Sequence, residues 1–314
     1  MTILKTILAL LAVVVAAAVA FLWTPDTDPE AMLAKYGGEE AQFAEGPSGL
    51  RVHYRVSGPK DAPVLLFIHG TAASLHTWEP MRERFEGRYR VIAYDQPGHG
   101  LTGPHPQDDY RFEGMADGLR AVMDAEGVEG AVLIGNSMGG WVAWQAALAM
   151  PERTEGLVLL DASGMPNDVR TDSALGFRIM RSPIGRALAQ KLGSRHMVER
   201  SLYDTVTVES IIDDAMIDRY HELLRYPGNR GALARQFATK RPDRSGELRT
   251  LDIPVLVIWG ADDGLIPLTA GRAMAAAIPD AELKIYEGVG HLPMEEAPDR
   301  TAADIDAYLS AIGY

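Results

Sequence analysis

The sequence predicts an α/β protein: a mostly parallel sheet of about eight strands flanked by helices, with a helical insertion after the sixth strand and an N-terminal transmembrane helix. Three observations carry this. Short β-rich apolar runs alternate with longer stretches of helical periodicity, the signature of a parallel sheet covered on both faces. Val64-Leu65-Leu66-Phe67-Ile68 is apolar without interruption, as a strand buried on both faces requires. The chain also begins with an apolar stretch of membrane-spanning length.

That first stretch has no charged or polar side chain from Ile7 to Trp23, and from Ile3 onward Lys5 is its only charge. As a helix, residues 3–23 would measure roughly 31 Å, close to the hydrocarbon thickness of a bilayer. Ala18-Val19-Ala20 also resembles a signal-peptide cleavage site, but the run is longer than a usual signal core and continues through Phe21, Leu22 and Trp23. An uncleaved anchor over 1–23 is the preferred reading and a cleaved secretion signal the alternative. Lys5 precedes the run and Asp26, Asp28 and Glu30 follow it, so the positive-inside rule places the remainder across the membrane, on the periplasmic or extracellular side. Residues 24–49, rich in Pro, Asp, Glu and Gly, read as a tether.

Strands are expected over 50–56, 64–68, 89–94, 131–134, 157–160, 254–259 and 283–286, and helices over 76–85, 112–126, 139–150, 269–278 and 297–312. Between 160 and 254 no buried strand is legible. Helical patterns run instead over 174–192, 196–203, 210–225 and 231–239, punctuated by Tyr226-Pro227-Gly228 and Arg241-Pro242-Asp243. The domain division is therefore 50–163 with 251–314 as the core and 164–250 as a helical insertion. Within that insertion Phe177, Ile179 and Met180 fit a packed helix core at helical spacing, and no binding role is assigned to them.

Composition excludes several functions. The net charge is −13, which argues against a surface built to neutralise nucleic-acid phosphates. Removing 1–23 takes away Lys5 and no acid, leaving −14, so anionic headgroups should repel the exported part. The absence of cysteine forbids disulfides, thiolate metal sites and a Cys nucleophile. No phosphate loop or dinucleotide fingerprint is present. His53, His69, His76, His99, His105, His196 and His221 show no metal-ligand spacing, and His69 and His99 read as loop-organising residues. No cofactor or metal is expected.

The chemistry concentrates elsewhere. Gly135-Asn136-Ser137-Met138-Gly139-Gly140 follows the 131–134 strand and opens the next helix. A tight turn there projects the serine at a helix N-terminus, with glycines where side chains would strike the flanking elements. The bare pattern is common, and its strand-to-helix context gives it meaning. A serine hydroxyl needs a base, and the base an orienting carboxylate. His291 follows the last strand in Gly290-His291-Leu292-Pro293, and Asp262-Asp263 closes the preceding strand after Trp259-Gly260-Ala261. The interval between them accommodates one helix and one strand.

With these motifs in place the chain resembles the α/β-hydrolase superfamily from about residue 50 to 312. His69-Gly70-Thr71, Asp95-Gln96-Pro97-Gly98-His99-Gly100, the Trp-Gly-x-x-Asp-x-x-x-Pro segment ending at Pro267 and the terminal Gly-His occur in the family's order. The resemblance implies a triad of Ser137, Asp263 and His291, its spacing choosing Asp263 over the turn residue Asp262. Asp161, after the sixth strand, is the alternative acid. It also implies backbone N–H donors of Thr71 and Met138 for an oxyanion, and 164–250 as a cap over the site. Relatives that attack alkyl carbon use Asp where this chain has Ser137, so acyl transfer is expected: hydrolysis of carboxylic esters of small or amphiphilic substrates, the architecture resembling anchored monoacylglycerol lipases. A histidine base implies that activity falls as pH drops through about 6.5. Two alternatives stand beside this. Carbon–carbon bond hydrolases of ring-cleavage products share the Gly-Asn-Ser-Met-Gly-Gly elbow but typically carry a Gly-rich loop where this chain reads Thr71-Ala72-Ala73-Ser74. The other is a non-catalytic, hydrolase-like binding protein. Oligomeric state is not legible.

Overall fold

The computed structural model describes residues 23–166, 180, 182–191 and 193–314, together with Thr6, Ile7, Leu10 and Val13. The strands are β1 (Gln42–Glu45), β2 (Arg51–Ser57), β3 (Val64–Ile68), β4 (Arg90–Tyr94), β5 (Ala131–Asn136), β6 (Thr154–Leu160), β7 (Val255–Gly260) and β8 (Glu282–Tyr286). They form one sheet in the order β1-β2-β4-β3-β5-β6-β7-β8. β1 and β2 run antiparallel, as do β2 and β4, and every pair from β4 to β8 is parallel.

Side-chain alternation along the strands divides the core into two layers. Leu66 and Ile68 of β3 point to one face with Leu133, Leu157 and Val257. There they meet α3 (Phe112–Ala125), α4 (Met138–Ala149) and α9 (Leu268–Ala277). Leu65 and Phe67 point to the other face with Val132, Val158 and Leu256. These pack on α2 (Glu79–Phe85) and α11 (Pro298–Ala311), while α10 is the short turn Pro293–Glu296. β3, β4, β5 and β7 are buried along their whole length, which explains why their sequences are continuous apolar runs rather than alternating ones.

The chain leaves β3 toward β4 on one side and reaches β5 on the other. Such a reversal opens a crevice at the carboxyl ends of the two strands. Between β6 and β7 lie α5 (Pro183–Ala189), α6 (Arg195–Tyr203), α7 (Asp214–Leu224) and α8 (Asn229–Ala238). Leu202, Met216 and Ile217 from this insertion join the core on the β3 Leu65 face.

One expectation about the N-terminal part needs correction, and another falls largely outside the described residues. The segment 24–49 is not a tether. It contains α1 (Pro29–Met32), capped by Asp28, and the edge strand β1. It is also fastened to the insertion: Thr24 N–H donates to Lys191 O at 3.0 Å, Thr27 N–H to Arg225 O at 3.0 Å, and Tyr36 Oη to Glu222 at 2.6 Å. Turn-forming residues were read as flexibility, whereas cap, turn and ion-pair partners on neighbouring elements hold them. The span expected over 1–23 lies largely outside the described residues, and no helix among the described residues is long and apolar enough to cross a membrane. Residues 167–179, including Phe177 and Ile179, also lie outside them.

Candidate active site

Ser137 sits between β5 and α4 with φ 56° and ψ −118°. A positive φ is costly for a non-glycine residue, and the surroundings impose it. Ser137 N–H donates to Leu160 O at 3.0 Å, and Ser137 O accepts from Trp141 N–H and Ser163 N–H at 3.1 and 3.0 Å. The turn closes only because its neighbours lack side chains: a Cβ on Gly139 would strike the Ile68 carbonyl oxygen, and one on Gly135 that of Gly139. The serine is thus lifted out of the sheet at the N-terminal, electropositive end of α4.

His291 lies on the loop after β8, with Nδ1 2.7 Å from Asp263 Oδ2 in a buried pair. The second carboxylate oxygen, Oδ1, accepts N–H donors of Leu265 and Ile266 at 2.7 and 3.0 Å. Those bonds fix the Asp263 carboxylate plane and therefore the imidazole it holds. The neighbouring Asp262 turns away and accepts Gly288 N–H at 3.0 Å, the turn role expected for it. Asp161 is behind the pair: donor atoms of Asp161, Asp263 and His291 lie within 4.8 Å of one another. Asp161 accepts Gly260 N–H at 2.9 Å. Burial, and then the Asp263 charge, push its pKa well above the usual carboxylate range. The imidazole contact belongs to Asp263, and Asp161 stands beside it with its carboxyl biased toward the protonated form.

Thr71, Ser137, Met138 and His291 line one cavity. Met138 is the first residue of α4, where a backbone N–H has no intrahelical acceptor. Thr71 follows the end of β3. A second, apolar cavity shares Thr71, Ser137 and His291, and extends among Met180, Met197, Leu202, Leu233 and Phe237 of the insertion. It encloses about 1300 Å³, open mouth included. The first cavity runs the other way, toward Met165, Arg241 and Asp243, with the Arg241 guanidinium 4.2 Å over the Trp141 ring. Two arms of space therefore diverge from the serine. Met180, read from sequence as helix core, is buried and also lines the apolar arm.

Two positioning residues were not legible. Asn136 Nδ2 donates to Leu160 O at 3.2 Å and His291 O at 3.0 Å, tying the histidine loop to the serine turn. Glu296 accepts backbone N–H groups from Thr207, Val208 and Gly290 on one oxygen and from Leu292 on the other, at 2.8 to 3.0 Å. One buried carboxylate thus joins the histidine loop to the insertion. The acidic pair Glu295-Glu296 in a one-turn helix was the available signal, but it reads equally as solvated.

The histidines of the core domain sit around its loops, whereas His196 and His221 lie on α6 and α7. His53 Nδ1 pairs with Asp95 at 2.7 Å, fully buried, and Asp95 also accepts Leu75 and Leu101 N–H donors at 2.8 Å. His69 Nε2 accepts Gln96 N–H at 3.0 Å while its Nδ1 contacts Gly70 O. Burial pushes His76 down to about 4 and His99 to about 3, keeping both neutral at pH 7. His105 accepts N–H donors of Gln107 and Asp109, His196 is exposed beside Glu199, and His221 contacts Gly193 O at 3.2 Å.

Comparison with known proteins decides the family. The alpha/beta hydrolase fold family matches residues 63–298. The chain belongs to it. Among relatives of this hydrolase, a 2-hydroxy-6-oxononadienedioate/2-hydroxy-6-oxononatrienedioate hydrolase of Paraburkholderia phymatum is 30% identical over 283 residues, covering 87% of this chain and 94% of the relative. An esterase from Rhodococcus sp. ECU1013 superposes with a TM-score of 0.74 at 25% identity, covering 87% and 99% of the two chains. A meta-cleavage product hydrolase from Pseudomonas fluorescens IP01 gives 0.72 at 24% identity, with 86% and 97% covered, a likeness of fold. Esterases and carbon–carbon bond hydrolases thus both neighbour this α/β-hydrolase.

Proposed function

We propose that this α/β-hydrolase cleaves carboxylic esters of small or amphiphilic molecules through an acyl-enzyme. The observation that carries the reading is the serine at the junction of two diverging cavities, beside an imidazole already bonded to a buried carboxylate. In this scheme Ser137 Oγ attacks the ester carbonyl and His291 takes its proton. With Nδ1 bound to Asp263, Nε2 is the nitrogen left to act as base, and Asp263 stabilises the imidazolium. The carbonyl oxygen becomes an oxyanion held by Thr71 and Met138 N–H groups at the positive end of α4. His291 returns the proton to the departing alcohol, then activates the water that releases the acid. The insertion serves as a cap whose apolar arm receives the acyl chain. No cofactor takes part. The 1–23 run is proposed to anchor the chain with this domain on the exported side.

Ser137→Ala is expected to lower turnover of short and medium acyl p-nitrophenyl esters by at least about 10³-fold. Full retention of activity would remove the assignment. A second reading, hydrolysis of a carbon–carbon bond in a ring-cleavage product, is favoured by the name of the 30% identical relative. Turnover of a 2-hydroxy-6-oxodienoate faster than of any ester in a chain-length series would establish it instead. Failure of a fluorophosphonate to label Ser137 would point to a binding protein.

A further inference from the structure

In a chain of net charge −13, residues 174–198 hold Arg178, Arg181, Arg186, Lys191 and Arg195 and no Asp or Glu. Arg195 is paired with Asp214 and Asp218 of the next helix. The same stretch exposes aliphatic surface. On α5, Ile184 and Leu188 lie one turn apart on one helix face and are 76% and 48% exposed. Lys191, three residues beyond Leu188, is where the N-terminal segment arrives: its carbonyl accepts Thr24 N–H, and its ammonium lies 5.6 Å over the Trp23 ring. Trp23, the last residue of the uncharged apolar run, is itself half exposed. Arg230 grips Asp26 at 2.6 Å and Arg225 Nε donates to Pro25 O at 2.9 Å. The chain leaving the apolar run is therefore held against one side of the insertion.

That side is also the outer wall of the apolar cavity. Gly193, Met197, Arg225 and Arg230 line it from within, and Met197 is 42% exposed. Exposed aliphatic and indole side chains on a segment that also carries Arg186 and Lys191, in an otherwise acidic protein, match the headgroup boundary of an anionic bilayer. The net charge of −13 disfavours an unspecific approach to such a surface.

We propose that α5, with Trp23 and Lys191, rests on the surface of an anionic phospholipid bilayer, and that the apolar cavity behind Met197 takes its amphiphilic ester directly from that leaflet. This rests on the membrane attachment and ester hydrolysis proposed above. It reverses, for one face, the repulsion that the overall charge led us to expect.

The absence of native cysteine makes a single introduced thiol a unique label. Full-length Leu188→Cys and Lys60→Cys are labelled with an environment-sensitive fluorophore. Lys60 is exposed on the turn before β3, at the end of the sheet opposite the cavities. Each is added to vesicles of phosphatidylcholine with about 30% phosphatidylglycerol and lipid-borne doxyl quenchers. The expected result is cosedimentation of both proteins, with quenching at 188 and none at 60. Cosedimentation with an unquenched 188 label, or equal quenching at both, overturns the docking face while leaving attachment intact. Failure to cosediment overturns attachment and docking together. Ile184→Asp combined with Lys191→Glu is expected to slow hydrolysis of a long-chain ester embedded in the vesicles by about tenfold. A water-soluble short-chain ester should be hydrolysed within about twofold of the parent rate, so equal loss on both substrates overturns delivery from the leaflet.

Discussion

Asp161 shows how one residue can be placed by the fold in a role its sequence does not declare. It is fully buried at φ 44°, an unfavourable conformation for a residue with a Cβ, and faces the carboxylate that holds the imidazole. Burial, and then the nearby Asp263 carboxylate, disfavour the charged form of Asp161. Asp161 therefore holds its proton to a higher pH than a free carboxyl group does. A folded-state pKa raised above the unfolded value, about 3.9, means that the folded chain retains a proton the unfolded chain loses. The stability contributed by this group is fully present below about pH 4 and is lost as pH rises toward the folded pKa. Asp161→Asn, which cannot titrate but keeps the shape and a donor, should gain thermal stability relative to the parent as pH rises from about 4 to 7. Melting temperatures measured across that range test this, and a constant offset between the two proteins would contradict it.

At the scale of elements, the decisive contact is between α4 and the end of β3. Gly139 brings the α4 backbone against the Ile68 and His69 carbonyls, just before Gly70 and Thr71. Gly139→Ala must push the helix from the strand, since the Ile68 and His69 carbonyls leave a methyl group no room. Destabilisation by about 3 kcal/mol or more is expected, with a fall in turnover because Thr71 and Ser137 move apart. Urea denaturation and an ester assay measure the two effects, and an unchanged midpoint would disprove the close-packing account. Elements differed in how openly the sequence displayed them. The fully buried strands and the long helices α3, α4, α9 and α11 were legible within a few residues, because burial on one face or two imposes a hydrophobic period. β1 was not. Its four residues, Gln42-Phe43-Ala44-Glu45, bury only Ala44, and a short half-exposed edge strand carries almost no pattern.

The whole molecule is wrapped by its N-terminal part. Residues 23–45 cross the insertion, bond to Lys191, Glu222, Arg225 and Arg230, and then pair with β2 along the sheet edge. Arg55 from β2 donates to the Tyr36 carbonyl at 2.6 Å, joining wrap to sheet. Removing residues 1–45 should therefore lower the melting temperature by at least about 5 °C relative to removal of 1–22, and bare β2 as an edge prone to self-pairing. Calorimetry and size-exclusion chromatography distinguish this from a passive linker, whose loss would change neither. By itself, the sequence determined the α/β class, the strand-to-helix turn at Ser137 and the loop carrying His291, because each depends on local periodicity or on a few neighbouring residues. Only the tertiary structure decided which carboxylate meets the imidazole, that Asn136 and Glu296 bind the histidine loop in place, and that 24–49 is a wrap and not a tether. Those outcomes depend on contacts between residues far apart in the chain, where one acidic side chain looks like another until burial and its hydrogen-bond donors tell them apart.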